Sequence, residues 1–157
     1  MSSGGEGRQD PAAAAKRAGG VPRWVRPALA GVGLAIAAYL TILHFDTGVP
    51  LYCAESGAVN CAQVLTSAQS VVLGLPVAAW GLLWFAVALV LLVGDGSGWR
   101  GQAAGWWTLI GAITVVYLIY AELIEVGKIC LWCTSVHIIV LAIFVLQTLA
   151  APRPEAE

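Results

Sequence analysis

Four cysteines are the residues whose type and spacing could do chemistry in this sequence, and it contains no others. Cys130 and Cys133 form a CxxC motif at the start of an apolar run. Cys53 and Cys61 are separated by seven residues in one loop. A CxxC closed within one helical turn is typical of thiol redox sites and of metal sites. The sequence therefore indicates electron transfer through thiols.

The CxxC pair has the spacing of a redox-active dithiol. Cys130 and Cys133 are three positions apart, on one face of a predicted helix and within reach of a disulfide. Unpaired N–H groups and the helix dipole at a helix start favour a thiolate, and Lys128 adds a positive charge nearby. The alternatives are a structural disulfide or two buried thiols.

The loop pair is less specific. Taken alone, Cys53 and Cys61 are best explained as a structural staple. Beside an outward-facing CxxC, a mobile loop pair could instead relay disulfides between that motif and a soluble partner, because thiol–disulfide exchange proceeds through mixed disulfides. Four cysteines could also hold zinc, but the loop spacing is long for a zinc knuckle, so no metal site is predicted.

Two polar residues near the cysteines could contact a ligand. Ser67 follows Cys61 by six residues, and its hydroxyl could bond a ligand carbonyl or simply face solvent. His137 lies one turn beyond Cys133 on the same face. It could bond a ligand, move protons or be satisfied inside the bundle.

Two further positions have weaker signals. Glu122 sits near the end of the third apolar stretch and is a candidate for proton handling. Trp80 shares a helix face with Trp84, where packing in the core is the simpler interpretation.

Composition assigns the chain to membranes. Of its 157 residues 59% are hydrophobic and 11% are charged, whereas soluble domains have about 25% charged residues. The absence of a basic run argues against nucleic-acid binding. Four stretches have about 20 apolar residues, enough to span as helices. These predict an all-α four-helix transmembrane bundle with spans at Val25 to Phe45, Val71 to Val93, Ala103 to Leu123 and Ile129 to Ala150.

Positive charges predict the orientation. Lysines and arginines precede the first span, Arg100 lies between the second and third, and Arg153 follows the fourth. The loop from Asp46 to Ser70 has none. Both termini are therefore expected in the cytoplasm, with the cysteines on the outer face of the cell membrane, where disulfides persist.

The domain organisation follows from these spans. We expect a disordered cytoplasmic tail over 1–24, a redox domain over 25–150 and a short cytoplasmic tail over 151–157. The first stretch reads as an anchor rather than a cleaved signal peptide. Between the first two spans, Ala62 to Leu73 predicts a short lid helix at the membrane surface, after which Gly74 and Pro76 turn the chain.

Taken together, these motifs resemble the bacterial branch of the vitamin K epoxide reductase family. The resemblance rests on the four spans, the run Cys53-x7-Cys61-x5-Ser67 and the CxxC that opens the last span. It covers roughly Val25 to Ala150. Further similar segments are Gly74-Leu75-Pro76, Ala79-Trp80-Gly81 and Ile129-Cys130-Leu131-Trp132-Cys133.

The resemblance implies a bundle around a quinone of menaquinone or ubiquinone type. It implies that Cys133 faces the quinone, that Cys130 exchanges with Cys61 and that Cys53 meets the soluble partner. The segment that carries Ser67 would lie across the quinone. The candidate contacts to the quinone are Ser67, Val77, Trp80, Cys133 and His137.

The implied activity is disulfide formation in a DsbA-like thioredoxin-fold protein, with electrons passed to the quinone. Many relatives have a fused thioredoxin-like domain; the sequence ends at Glu157 without one, so a separate partner is expected. Val77 and His137 stand where vertebrate members have a ligand-binding Asn and Tyr. Plain quinone reduction is therefore expected rather than epoxide reduction.

Two alternatives remain open. A DsbB-like oxidoreductase would do the same chemistry on another four-helix frame, but its CxxC is expected early in the chain. A small membrane transporter or assembly subunit with structural disulfides would have no turnover, and its cysteines would resist reduction.

Overall fold

The computed structural model describes residues 21–46, 48–53, 56–93 and 98–150. Most of the predicted tail over 1–24 and all of 151–157 lie outside the described residues. Five α-helices follow one another in the described part: α1 (Val25–Phe45), α2 (Cys61–Leu65), α3 (Val77–Leu92), α4 (Gly98–Tyr120) and α5 (Leu131–Ala150).

The four longer helices pack as one bundle. Helix α1 packs against α3 and α5, and α4 packs against the same two helices. Phe85 and Ile143 are fully buried at the centre. Two glycines allow close approach to aromatic rings: a Cβ on Gly33 would lie 2.2 Å from the Phe85 ring, and one on Gly111 would lie 2.4 Å from Trp84.

Three helices are long and apolar enough to cross a membrane, among the residues that were described. They are α1, Gly98–Val126 and α5. The predicted first span matches α1, and the predicted third and fourth spans overlap the other two. Large apolar side chains such as Ile113 and Val116 are exposed on the bundle surface, as lipid-facing residues are. The chain is thus a multi-pass membrane protein.

The predicted second span differs from the structure at its start. Helix α3 has 16 residues, about 24 Å at 1.5 Å per residue, which is short of a hydrocarbon core of about 30 Å. Whether it spans therefore stays a prediction. Residues 71–76 form a hairpin in which Val71–Val72 (β1) pairs with Leu75–Pro76 (β2).

The turn of this hairpin explains why the helix begins late. Leu73 and Gly74 both have positive φ, at 54° and 79°, which suits a two-residue turn between antiparallel strands. Pro76 has no N–H to donate and caps the start of α3. Apolar composition alone could not separate these strand residues from the helix after them.

The predicted single lid helix over Ala62 to Leu73 also takes another form. The chain makes the five-residue helix α2, then a 3₁₀ helix at Ala68–Ser70, then the hairpin. Ser67 lies between the two helical turns, with extended backbone.

The third span ends in an irregular turn beside the CxxC motif. Helix α4 continues as a π-helical turn over Ala121–Val126, and Gly127, at φ 67°, ends it in the left-handed conformation that favours glycine. Only three residues, 128–130, then separate Gly127 from the start of α5. This short connection holds the end of one span against the start of the next.

Candidate functional site

The CxxC pair opens the last helix, close to the predicted position. Cys130 directly precedes α5, and its carbonyl accepts a hydrogen bond from the Thr134 amide at 2.8 Å. Cys133 lies in the first turn, where its amide donates to the Cys130 Sγ at 3.3 Å. Cys130 is fully buried and Cys133 is partly buried, and both are free thiols.

This geometry stabilises a thiolate on Cys130. The hydrogen bond from the Cys133 side chain is the main cause that lowers the pKa of Cys130 below its ordinary value. Burial and the charge of Glu122 act in the opposite direction but are outweighed. Lys128, expected to add a positive charge near the thiols, donates to the Gly57 carbonyl at 2.7 Å and so ties the loop to this end of the bundle.

The loop cysteines are joined to each other. Cys53 and Cys61 form a disulfide with their Cα atoms 6.2 Å apart. Cys61 is the first residue of α2 and is fully buried. Asn60 caps this short helix, because its Oδ1 accepts from the Gln63 amide at 2.9 Å. Two of the four thiols that a zinc site would need are therefore committed to a disulfide.

A short parallel bridge brings the two pairs together. Val59 pairs with Ile129. The Asn60 amide donates to the Ile129 carbonyl at 3.1 Å, and the Ile129 amide donates to the Ala58 carbonyl at 3.0 Å. Cys130 directly follows Ile129, Cys61 lies two residues after Val59, and the two segments run in the same direction. The structure thus joins the segment that leads into Cys61 to the segment that leads into Cys130.

The chain segment before Cys53 rests on the CxxC motif itself. Trp132, between the two cysteines, donates its indole N–H to the Tyr52 carbonyl at 2.7 Å. Tyr39 of α1 donates its hydroxyl to the Pro50 carbonyl at 2.9 Å, and its ring lies 5.2 Å from the Trp132 ring. Sequence reasoning missed both anchors. Trp132 could have indicated the first anchor, since an indole N–H that is removed from water needs a hydrogen-bond acceptor.

A cavity of about 390 Å³ opens next to the motif. Its walls are mostly apolar, with the rings of Trp80, Trp84, Phe85 and Trp107 among them. Cys133 is the one cysteine in the described lining. A volume of this size with mostly apolar walls and a few polar groups is typical of a small-molecule site.

The residues proposed as ligand contacts all line this cavity. They are Ser67, Val77, Trp80, Cys133 and His137. The Ser67 hydroxyl donates to the Val64 carbonyl at 2.8 Å, so it keeps only its acceptor capacity for a ligand. Val64 and Ser70 also face the cavity, so the segment after Cys61 covers one side of it.

Trp80 and Trp84 were both expected to pack in the core; Trp84 does so, and Trp80 does not. Trp80 is 39% exposed, and its indole donates to the Val72 carbonyl at 3.1 Å, which holds the hairpin against α3. Trp84 stacks on Trp107 with ring centroids 6.4 Å apart and meets Phe85 edge-on.

His44, near the end of α1, also lines the cavity, and the sequence analysis did not identify it as a candidate site residue.

Glu122 and His137 form the polar part of the cavity wall nearest the thiols. Both are buried, at 7% and 6% exposure. One Glu122 oxygen accepts the hydrogen bond of the Cys130 amide. The other lies 3.8 Å from the His137 Nδ1. The sequence had marked Glu122 only weakly, because its partners come from another helix.

The sequence model of the vitamin K epoxide reductase family matches residues 24–148. The matched range contains all four cysteines, the bridge between the loop and the CxxC motif, and the cavity that Cys133 lines. It also contains the three helices that are long enough to span a membrane, apart from the last two residues of α5. Since the match extends over most of the chain, this multi-pass membrane protein belongs to the vitamin K epoxide reductase family and is a membrane thiol oxidoreductase.

Proposed function

We propose that this protein forms disulfides in a separate DsbA-like thioredoxin-fold protein and delivers the electrons to a membrane quinone, as bacterial members of the family would. One observation carries the proposal. The free CxxC has one cysteine, Cys133, on an apolar cavity and the other, Cys130, directly after the residue that is bridged to the cysteine loop. Such an arrangement connects a lipid-soluble oxidant to a thiol relay.

The cavity residues fit a quinone head group. Aromatic and aliphatic walls suit a flat apolar ring, and the His137 side chain supplies a polar group for a ring carbonyl. Trp80 and Val77 would lie against the ring. A bound quinone of menaquinone or ubiquinone type supplies an acceptor for two electrons and two protons. The protein's part is to hold the thiols beside it and to exclude water.

Within the relay, each step exchanges one sulfur–sulfur bond for another. Oxidation of the Cys130 and Cys133 thiols makes their disulfide and releases two electrons and two protons. The Cys61 thiolate then attacks Cys130, and Cys133 leaves as a thiolate. Cys53 next attacks Cys61, and Cys130 leaves. The result is a loop disulfide with a reduced CxxC, which is the redox state of the structure.

The soluble partner would enter at Cys53. A partner thiolate attacks this sulfur, Cys61 leaves, and the second partner thiol displaces Cys53 to complete the partner's disulfide. The loop pair is then reduced and ready for the next cycle. Tyr52, which precedes Cys53, is 73% exposed, and this exposure supports access from solution.

The test is purified protein with reduced thioredoxin-fold partner and a soluble quinone analogue. We expect one quinone reduced for each partner disulfide formed. Cys130→Ala and Cys133→Ala should each abolish turnover while the protein still inserts. Ser135→Ala, an exposed position in the same turn of α5, is the matched control and should keep wild-type turnover. An inactive wild-type protein with a reduction-resistant CxxC would instead support a structural role.

The proposed orientation has both termini in the cytoplasm and the cysteine loop outside the cell membrane. The lysines and arginines before α1 and the lack of any between Asp46 and Ser70 motivate it. Reporter fusions at Asp95 and Gly57 should give opposite signals. The same signal at both positions would refute four spans in this orientation.

A further inference from the structure

Glu122 and His137 bring two ionisable side chains into a largely apolar membrane cavity. Burying a carboxyl group away from water is costly unless it is bonded or neutral, and intramembrane ionisable groups are commonly functional. The Cys130 amide bonds one Glu122 oxygen, and the second oxygen faces the His137 Nδ1. At 3.8 Å this second contact is just longer than a hydrogen bond.

The backbone at Glu122 has an irregular helical conformation. The residue lies in the π-helical turn Ala121–Val126, and π-helical turns within longer helices occur frequently at functional sites. Glu125 lies in the same turn and is exposed. The turn therefore carries one carboxyl group towards the cavity and the other away from it.

We propose that Glu122 and His137 form a proton-transfer pair that carries thiol protons from the CxxC motif to the acceptor in the cavity. This inference rests on the proposed quinone-coupled function. The Glu122 carboxylate, bonded at Cys130, takes a proton released as the dithiol is oxidised. It passes the proton from its free oxygen to the His137 Nδ1, and the imidazole releases a proton from Nε2 into the cavity.

The proton balance is consistent with such a route. Oxidation of the dithiol releases two protons, and reduction of a quinone to a hydroquinone takes up two. The thiols are buried or partly buried, and the cavity walls are mostly apolar. The other titratable side chains on the described cavity wall are Cys133 itself and His44. Lys128 is occupied by the Gly57 carbonyl.

The decisive variant is Glu122→Gln, because its amide oxygen can still accept the Cys130 N–H but cannot take up a proton. General acid–base groups contribute about 10²- to 10⁴-fold, so we expect quinone-coupled turnover to fall about 100-fold or more. Transfer of the loop disulfide to reduced partner, measured in a single turnover without quinone, should keep its wild-type rate. Glu125→Gln is the matched control and should leave both rates unchanged.

A pH profile separates proton transfer from a structural role. Glu122→Gln should lose one ionisation from the pH dependence of quinone-coupled turnover, and Glu122→Asp should partly restore both the rate and the profile. His137→Gln should lose an ionisation as well. This second variant tests the pair even if Glu122→Gln does not insert.

The outcomes distinguish this inference from the proposed function. Wild-type turnover and an unchanged pH profile in Glu122→Gln, or in His137→Gln, would overturn the proton pair alone. A wild-type protein that oxidises no partner with any quinone analogue would overturn both. Equal loss of quinone-coupled turnover and of quinone-free exchange in Glu122→Gln would make Glu122 structural and overturn the proton role.

Discussion

The two cysteine pairs are held in place by different parts of the structure. The CxxC pair belongs to a helix start, where the backbone of α5 sets its spacing, and Cys133 faces a cavity. The loop pair is held from outside, by the Val59–Ile129 bridge, by Trp132 and by Tyr39. The difference fits the division of tasks that we propose, in which the helix-bound pair would meet the quinone and the tethered pair would meet the soluble partner.

The largest expected effect comes from removing the cavity-facing thiol. In Cys133→Ala the CxxC disulfide cannot form, so turnover should cease. Cys130 can still attack Cys61 and release Cys53, and the resulting Cys61–Cys130 disulfide, which only Cys53 can then reverse, should be enriched over the wild-type protein. Non-reducing gels with mass spectrometry would identify the bond. If the trapped bond joins Cys53 to Cys130 instead, the two loop cysteines have exchanged roles.

The second prediction tests whether the loop pair is a relay or a staple. A disulfide that closes so short a loop stabilises the folded protein by only about 2–3 kcal/mol in the chain-entropy model. A purely structural role is therefore a weak explanation for the Cys53–Cys61 pair. Incubated with oxidised partner, Cys61→Ala should hold Cys53 in a long-lived mixed disulfide, because Cys53 opens the partner's disulfide and no Cys61 thiol is present to release the partner. Cys53→Ala should oxidise partner far more slowly than wild type. A wild-type rate in Cys53→Ala would mean that the partner reaches Cys130 directly.

The third prediction concerns the acidity of the reduced CxxC. Because the Cys133 side chain is the main cause of the lowered pKa of Cys130, Cys133→Ala should raise that pKa. The thiolate of Cys130 would then form at higher pH than in the wild-type protein. Each protein in this titration would also carry Cys53→Ala and Cys61→Ala, so that Cys130 stays a free thiol, and ultraviolet absorbance of its thiolate would follow the titration.

Cys133→Ser is the matched variant for this titration. Its hydroxyl can still donate to Cys130, so the pKa of Cys130 should rise less than in Cys133→Ala. Equal titration of Cys130 in the alanine and serine variants would show that burial, rather than the hydrogen bond, controls its acidity.

The smallest expected effect concerns the anchor between the two pairs. Trp132→Phe keeps an aromatic ring beside Tyr39 but loses the hydrogen bond to the Tyr52 carbonyl. Such a bond contributes about 1 kcal/mol, so the Tyr52 amide should exchange its hydrogen about fivefold faster. Trp106→Phe, at an exposed position on α4, should leave that exchange unchanged. Unaltered exchange in Trp132→Phe would mean that Tyr39 alone holds the segment.

Local patterns in the sequence predicted the parts of this protein that depend on neighbours along the chain. The apolar run from Val25 to Phe45 matches α1 at both ends, because a helix in lipid must bond its own backbone. The CxxC falls at the start of α5, and the residues proposed as quinone contacts all line one cavity. The run Val71 to Pro76 misled the assignment, since an apolar hairpin and an apolar helix have the same composition.

What the sequence by itself determined is the membrane class, most of the helix positions and the position of the CxxC motif at a helix start, because these follow from composition and short spacing. Only the tertiary structure decided the partners of those thiols. The bond from Trp132 to Tyr52 joins residues 80 positions apart, and the contact of Glu122 with His137 joins a π-helical turn to another helix. Contacts of this kind depend on how helices pack in three dimensions, and no local periodicity encodes them.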